Sequence, residues 1–524
     1  MRKLLIAVVA VTATAVLASS AYAIDEVNTK RLRQAVGLNS ILAHERALQR
    51  IALANDNNRA ASTAGYDASL DYFRERMRDA GYRVYTDEFD FPSWTQDGPA
   101  TLAQVTPTTT TYAEETDYLV AQFSGAGNLD NAEVIAIGPI QIPVPGEGAS
   151  ISGCAAGDFP AATAGKIALI QRGTCPFTQK IQNAKTAGAA GVLIFNDGWQ
   201  TRTGPVAVTA PPYVGIPVAT TSFAVGQALY TATQQGTVTM DFVVNATTTP
   251  NAQYNLIADS RRGNPDRTIL VGGHLDSVEE GPGINDNGSG VSAMAEVAKE
   301  IADLPRNPRN RLRFAFWGAE EAGLVGSTAY VADQVASGDI EQIEANLNFD
   351  MLGSPNFVRF VYDGDNSTNS PGAAVGPPGS DDIEQMFVDY FESQGLESEP
   401  TPFDGRSDYG PFIARGVPAG GLFSGAEDPK TEEQETIYGG FAGMPYDECY
   451  HQACDSFFNL SHESLDQMSD AVAHATWTLA RSRSPLDAGT AAAAKVSKAQ
   501  KAKKAKKARR SAKRMGYKAG FSVR

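Results

Sequence analysis

The chain has 524 residues, 42% hydrophobic and 20% charged, which excludes a disordered or fibrous protein and leaves length for two or three domains. Its formal charge is −16, yet residues 495–524 hold 13 Lys or Arg and no acid. An acidic body with a basic appendage excludes a nucleic-acid-binding domain.

Arg2 and Lys3, the apolar run from Leu4 to Ala18 and the A-x-A step Ala21-Tyr22-Ala23 predict a secretory signal, cleaved after Ala23. The competing reading is a retained anchor, but the run is short for a bilayer span. No other segment is long and apolar enough, so a secreted, extracellular protein without stable membrane insertion is expected. Cys154, Cys175, Cys449 and Cys454 agree with export; pairing by proximity is the simplest of three connectivities.

Residues 31–54 show helical spacing of Leu32, Val36, Ile41, Leu42, Leu48 and Ile51. A second helix carries Tyr66, Leu70, Phe73 and Met77 and stops at Gly81. "RVYTDEFDF" alternates as a strand. Residues 121–245 change character: rich in Gly, Ala, Pro and Thr, they hold short strand-like runs around one helix-like stretch, "TQKIQNAKTAGAAG". They read as an inserted β-rich module between 24–120 and 246–485. From 246 on, apolar strands alternate with helices: "TILVGGHLD", "GVSAMAEVAKEIADL", "RLRFAFWGAE", "ANLNFDML". That pattern predicts an α/β fold with a mainly parallel sheet flanked by helices, its site at the carboxyl ends of the strands. Residues 486–524 collapse to Ala, Lys and Arg and cannot bury a core.

The chemistry-bearing residues fall at those strand ends. The chain has only five histidines, and His274 ends one strand, two residues before Asp276. A carboxylate there can accept the second imidazole N–H and fix which nitrogen faces a metal. Asp286 follows a Gly/Pro turn; a helix cap is its alternative reading. Glu320 and Glu321 end the next strand. Neighbours there point apart, so one can hold metal while the other takes a proton from water; the alternative is a solvated acidic pair at a helix start. Asp350 ends a third apolar strand, where burying an unpaired carboxylate is costly. His451 lies between Cys449 and Cys454, in a loop too short for much chain-entropy stabilisation. Nitrogen and carboxylate donors suit zinc, and five ligands suit two ions sharing one carboxylate, a two-metal hydrolase.

"GGHLDS", "GINDNGSG", "WGAEEAGLVGS", "NFDM", "FDGRSDYGPF" and "CYHQACD" together resemble the M28 family of zinc peptidases, in that family's order, and most of all its secreted bacterial aminopeptidases. The resemblance covers 37–120 and 246–485. It implies that Asp286 bridges two Zn2+, that His274 and Asp350 complete one site, and that Glu321 and His451 complete the other. It makes Glu320 the general base, Asp276 a support for His274, and Tyr450 a group polarising the scissile carbonyl. Met351, Gly405, Arg406 and Phe423 match pocket-lining positions, and a cis peptide is expected at Asp286–Asn287. "GKIALIQRGTCPFTQKIQNAKTAGAAGVLIFND" resembles a PA (protease-associated) domain, with Cys154–Cys175 as its staple and a lid, a docking module or a packing decoration as its role.

The expected function is a di-zinc aminopeptidase acting on peptides, monomeric, preferring large hydrophobic N-terminal residues such as Leu because Phe423 and Met351 suggest an apolar pocket. Ca2+ is a candidate modulator. The basic tail is read as a solvated terminus, with contact to an anionic cell surface as its alternative. The rival functions are an M28-type carboxypeptidase, which needs a basic clamp such as Arg406, a single-zinc glutaminyl cyclase, and a non-catalytic binding protein that would have lost ligands.

Overall fold

A computed structural model of the chain describes residues 24–486 apart from residues 25, 26, 147, 201, 212, 371, 484 and 485. The expected signal, 1–23, and the Lys/Ala-rich segment beyond Leu486 lie outside the described residues. Among the described residues no helix is long and apolar enough to cross a membrane.

The main sheet has eight strands. Four central ones are parallel, in the order Asn310–Trp317, Asn264–His274, Ile343–Phe349, Ala419–Phe423. Ala252–Asp259 and then Arg83–Asp90 extend one edge, each antiparallel to its neighbour; on the other edge Phe360–Tyr362 adds antiparallel and Glu399–Thr401 pairs parallel with it. Both faces are covered, as a parallel sheet requires, and the strand-forming apolar runs divide by alternation. Ile269 and Val271 join the larger core, with residues of the helices Leu38–Leu53, Ala64–Asp79, Gly290–Ala302, Ser380–Gln394 and His462–Arg481. Leu270 faces the other way, in a cluster with Trp317, Tyr330 and Phe412.

The helical spacing over 31–54 resolves into two helices, Lys30–Arg33 and Leu38–Leu53. Gly37 separates them with an extended backbone (φ −107°, ψ 127°), so the apolar stripe continues across a break that periodicity does not register. Ala64–Asp79 follows as expected, with Gly81 at φ +86° behind it.

The chain leaves the main sheet at Asp90 and returns at Ala252 through an antiparallel ribbon of Ser93–Gln96 and Ala246–Thr249. Between them lies a second eight-stranded sheet. Its centre is parallel: Gly127–Ala136, Ile167–Gln171, Gly191–Phe195, Val218–Thr221. This sheet begins earlier than the change in composition at 121, because Thr101–Thr106 pairs antiparallel with Thr239–Val244. Residues 101–120 therefore pack with the insertion, through a pairing far apart in sequence. Both disulfides form between sequence neighbours, Cys154–Cys175 within the insertion and Cys449–Cys454 beside the main sheet.

The insertion meets the main body at loops near the carboxyl ends of the parallel strands. Gln122 donates to Glu279 at 2.8 Å, and Arg202 pairs with Asp428 at 3.7 Å. Ala319 and Ala322, which flank Glu320 and Glu321, belong to the same apolar cluster as Ile181 and Ala184 of the insertion.

Candidate metal centre

His274 reaches the carboxyl end of the sheet because its strand is hydrogen-bonded on both sides, opposite Trp317 on one neighbour and with Gly272 opposite Asn348 on the other. The two glycines before it permit close approach. A Cβ on Gly272 would come 2.6 Å from the Trp317 Nε1, and one on Gly273 2.7 Å from the Phe349 carbonyl oxygen. Asp350 follows the neighbouring strand directly. Asp286 stands in an irregular turn, Ile284–Ser289, with a cis peptide to Asn287 and non-helical dihedrals. Its side chain caps no helix: Gly290–Ala302 starts beyond it and shows no side-chain cap. His451 has φ +56° in the loop closed by Cys449–Cys454.

These segments bring the side chains into two groups sharing Asp286. In the first, the His274 Nε2 lies 3.2 Å from the Asp286 Oδ1 and 3.2 Å from the Asp350 Oδ1. In the second, the His451 Nε2 lies 3.3 Å from the Asp286 Oδ2 and 3.0 Å from the Glu321 Oε2. Ligand atoms about 2.0–2.1 Å from a tetrahedral ion stand about 3.3 Å from one another, so both spacings fit zinc. The donor chemistry fits as well, and the buried Glu321 Oε1 has no hydrogen-bond partner. In the metal-free protein, burial works against protonation of His274 and His451, but Asp350 and Glu320 around the first and Glu321 and Asp286 around the second hold both imidazoles well above their ordinary values. Burial alone would raise Asp286; hydrogen bonds from the two imidazoles hold it well below the usual carboxylate range. Carboxylates thus outnumber their cationic partners, a balance that divalent ions would redress.

Glu320 and Glu321 reach different neighbours, although both come within ligand distance of His274. Glu321 lies with His451 and Asp286, while Glu320 lies with His274 and Glu321. Burial pushes the Glu320 carboxyl well above its ordinary value, with His274 pulling the other way. Asp276 stands beside His274 and also beside the glutamate pair. The His274 Nδ1 is 3.1 Å from the Asp276 carbonyl oxygen and 3.7 Å from its carboxylate. The carboxylate also accepts the backbone N–H groups of Glu320 and Glu321, each at 3.2 Å. Asp276 thus joins the two strand ends, orienting His274 by its main chain and the glutamate pair by its side chain.

Tyr450 stacks on the His451 ring, with centroids 3.8 Å apart, and its hydroxyl accepts from the Arg406 Nη2 at 3.2 Å. Arg406 also pairs with Glu427 at 3.1 Å. Gly405 (φ +85°) precedes it and donates its N–H to the Tyr409 hydroxyl at 3.0 Å. Met351 is buried beside Asp350, and its carbonyl oxygen accepts the Ser424 N–H at 2.8 Å, next to Phe423. Phe423 stacks on Phe360, centroids 6.0 Å apart.

Sequence reasoning left three supports unassigned. Asp455 accepts the N–H groups of Asn285 at 2.8 Å and Asp286 at 3.0 Å. Ser407 donates to the Asp350 Oδ2 at 2.6 Å. The Asn287 amide oxygen accepts from Gly290 and Met351, and its nitrogen donates to the Phe349 carbonyl oxygen. All three lie inside motifs that already carry a ligand or pocket residue; the signal was the motif, and only the fold pairs each with its target.

A mainly parallel sheet whose strand ends gather two three-ligand groups around a shared carboxylate is the build of a metal-dependent hydrolase. Residues 255–476 match the model of peptidase family M28, and residues 138–229 that of the PA domain. The chain is 46% identical over 449 residues to an aminopeptidase of Pseudomonas aeruginosa, covering 85% of this chain and 81% of that one. It is 35% identical over 460 residues to leucine aminopeptidase 2 of Arthroderma otae, covering 87% of each. Among solved structures, a zinc aminopeptidase from Bacillus subtilis superposes with a TM-score of 0.54 at 25% identity, covering 84% of this chain and 94% of that one. The chain belongs to peptidase family M28, with aminopeptidase function and an inserted PA domain.

Proposed function

We propose that this protein is a secreted, monomeric di-zinc aminopeptidase that releases large hydrophobic residues such as Leu from the N-terminus of peptides. The observation that carries the reading is the sharing of Asp286 between two groups with zinc-like spacing. His274 and Asp350 would hold one ion, Glu321 and His451 the other, and Asp286 both. When bound, such ions lower the pKa of a water and polarise a carbonyl.

The residues of the chain supply the rest. Glu320 takes a proton from water, and its buried carboxyl then holds that proton for the departing amine. Asp276 fixes where Glu320 starts, through the backbone bond at 3.2 Å. The Tyr450 hydroxyl, oriented by Arg406, donates to the oxygen on which negative charge develops. Glu320 and the ligand carboxylates are the acceptors available for the free α-amine. Met351 and Phe423, at the positions matched to the family's pocket, would supply the apolar surface for a preference for Leu, in line with the leucine aminopeptidase among the relatives.

Arg406 is committed to Glu427 and Tyr450, which disfavours the carboxypeptidase reading, where it would be a free clamp. A complete set of five ligands and a base disfavours both a single-zinc cyclase and a non-catalytic protein. The test is hydrolysis of leucine p-nitroanilide before chelation, after it, and after zinc is restored, with bound zinc counted. Activity that vanishes and returns with two zinc ions is the expected result. A zinc-loaded but inactive protein would overturn the reading, as would a panel favouring basic or acidic N-terminal residues for the Leu preference. Enzyme requiring Ca2+ in addition would identify calcium as a modulator.

A further inference from the structure

Arg59 lies on the loop between the helices Leu38–Leu53 and Ala64–Asp79, outside every motif assigned to catalysis, and its side chain is fully buried. An unexposed guanidinium needs a reason, because its five N–H groups and its charge must all be accommodated. Its Nε donates to the Pro282 carbonyl oxygen at 2.9 Å, its Nη2 to that of Gly283 at 2.6 Å, and its Nη1 to that of Leu275. The main chain adds to this: the Arg59 N–H donates to the Ser277 hydroxyl at 2.9 Å, and the Arg59 carbonyl oxygen accepts the Ser277 N–H at 3.3 Å. Every one of these bonds ends on residues 275–283, the segment running from His274 to just short of Asp286.

The three carbonyls belong to opposite ends of that segment. Leu275 directly follows His274, and Gly283 stands three residues before Asp286. One rigid planar group thus joins the start of the loop to its finish. Gly283 makes the junction possible: it sits at φ +59°, and a Cβ there would come 2.3 Å from the Asp286 carbonyl oxygen and 3.1 Å from the Arg59 Nη2. Burial works against its charge, and the surrounding carboxylates Glu45, Asp276, Asp455 and Asp286, none of which is its hydrogen-bond partner, pull the other way. The electrostatic partners and the hydrogen-bond acceptors are therefore different groups. A lysine could supply the charge, but its three N–H donors radiate from a single nitrogen and cannot reach across the acceptors that the Nε, Nη1 and Nη2 of one planar group span.

We propose that Arg59 is a positioning residue for the metal centre, a clamp that sets the separation of His274 from Asp286 and so the shape of the site they share with Asp350. This rests on the di-zinc reading. The side-chain hydrogen bonds of Arg59 all end on main-chain carbonyls, so its effect would reach the reaction through the two ligands that flank the loop.

The test uses the full chain and the variant Arg59→Lys, with three readouts: zinc dissociation constants by competition with a chromophoric chelator, kcat and KM on leucine p-nitroanilide, and the melting temperature of the metal-free protein. The expected result is at least one zinc dissociation constant raised tenfold or more, and kcat lowered tenfold or more with KM within threefold of wild type. A lower metal-free melting temperature with unchanged zinc affinity would mean a merely structural role and overturn the proposal, as would unchanged zinc affinity and kcat. Ser277→Ala, which removes the acceptor of the Arg59 N–H, should shift zinc affinity in the same direction by about tenfold, the lower end of outer-shell losses. If Arg59→Lys fails to fold, wild-type zinc affinity in Ser277→Ala overturns the proposal. Wild-type protein that fails to bind two zinc ions would instead fault the di-zinc reading itself.

Discussion

The carboxylate of Asp455 accepts the backbone N–H of Asp286 at 3.0 Å, so a residue carried past the Cys449–Cys454 loop holds the main chain of the residue both metal groups share. It takes the Asn285 N–H as well. Asp455→Ala should strand two buried donors at about 1–3 kcal/mol each and loosen the bridging ligand. Zinc affinity is expected to fall by roughly 10- to 100-fold, the usual cost of losing an outer-shell partner. Asn at this position keeps one acceptor oxygen and should lie between. Chelator competition on both variants measures the order.

Glu320 and Glu321 are neighbours with different tasks, and substitution should separate them. Glu320→Gln removes the proton carrier and leaves the ligands, so kcat should fall by about 10²- to 10⁴-fold with two zinc ions retained. Glu321→Gln should lower zinc content first. Metal analysis beside steady-state kinetics distinguishes the two, and equal zinc loss in both variants would show that the roles are not separate.

Tyr450→Phe keeps the ring stacked on His451 and deletes the hydroxyl that receives Arg406. Loss of one donor to a developing oxyanion costs about 10²- to 10³-fold in kcat, so a large fall in kcat with KM little changed is expected. A change confined to KM would place the hydroxyl in ground-state binding instead.

Acid stability should depend on a site far from the metal. The His474 Nδ1 lies 2.9 Å from the Thr29 hydroxyl, and burial, with Arg33 nearby, pulls the imidazole down to about 4. Above the unfolded value of about 6.5 it is neutral in both states and its contribution is complete. As pH falls below that, the unfolded chain takes a proton that the folded one refuses, at a cost of about 2 kcal/mol by pH 5. Asp470, pushed up to about 6 by burial against the pull of Arg33, acts with the opposite sign over part of this window. His474→Asn should therefore lose less melting temperature than wild type between pH 7.5 and pH 5.0. Equal losses would refute the assignment.

Most of the main sheet was legible because its strands are apolar on both faces and punctuated by glycine, and because the ligands sit where those runs stop. "TILVGGHLD" and "ANLNFDML" each announce a buried strand and name the residue at its end. The boundary of the insertion was less legible. Thr101–Thr106 resembles the polar edge strands before it, and its partner Thr239–Val244 is remote in the chain.

What the sequence determined by itself was identity and spacing: which nitrogen and carboxylate donors exist, that they close successive strands, and that His451 rides in a loop tied by two neighbouring cysteines. Residue type sets ligand chemistry, and periodicity sets strand and helix, so both are local properties. Tertiary structure alone decided what each donor faces. It gave the Asp276 carboxylate to the amides of Glu320 and Glu321, and it set Ser407 on Asp350, Asp455 on Asp286, and Arg59 across the loop between His274 and Asp286. Each of these is a hydrogen bond of about 3 Å between segments far apart in the chain, a length scale that no local pattern encodes.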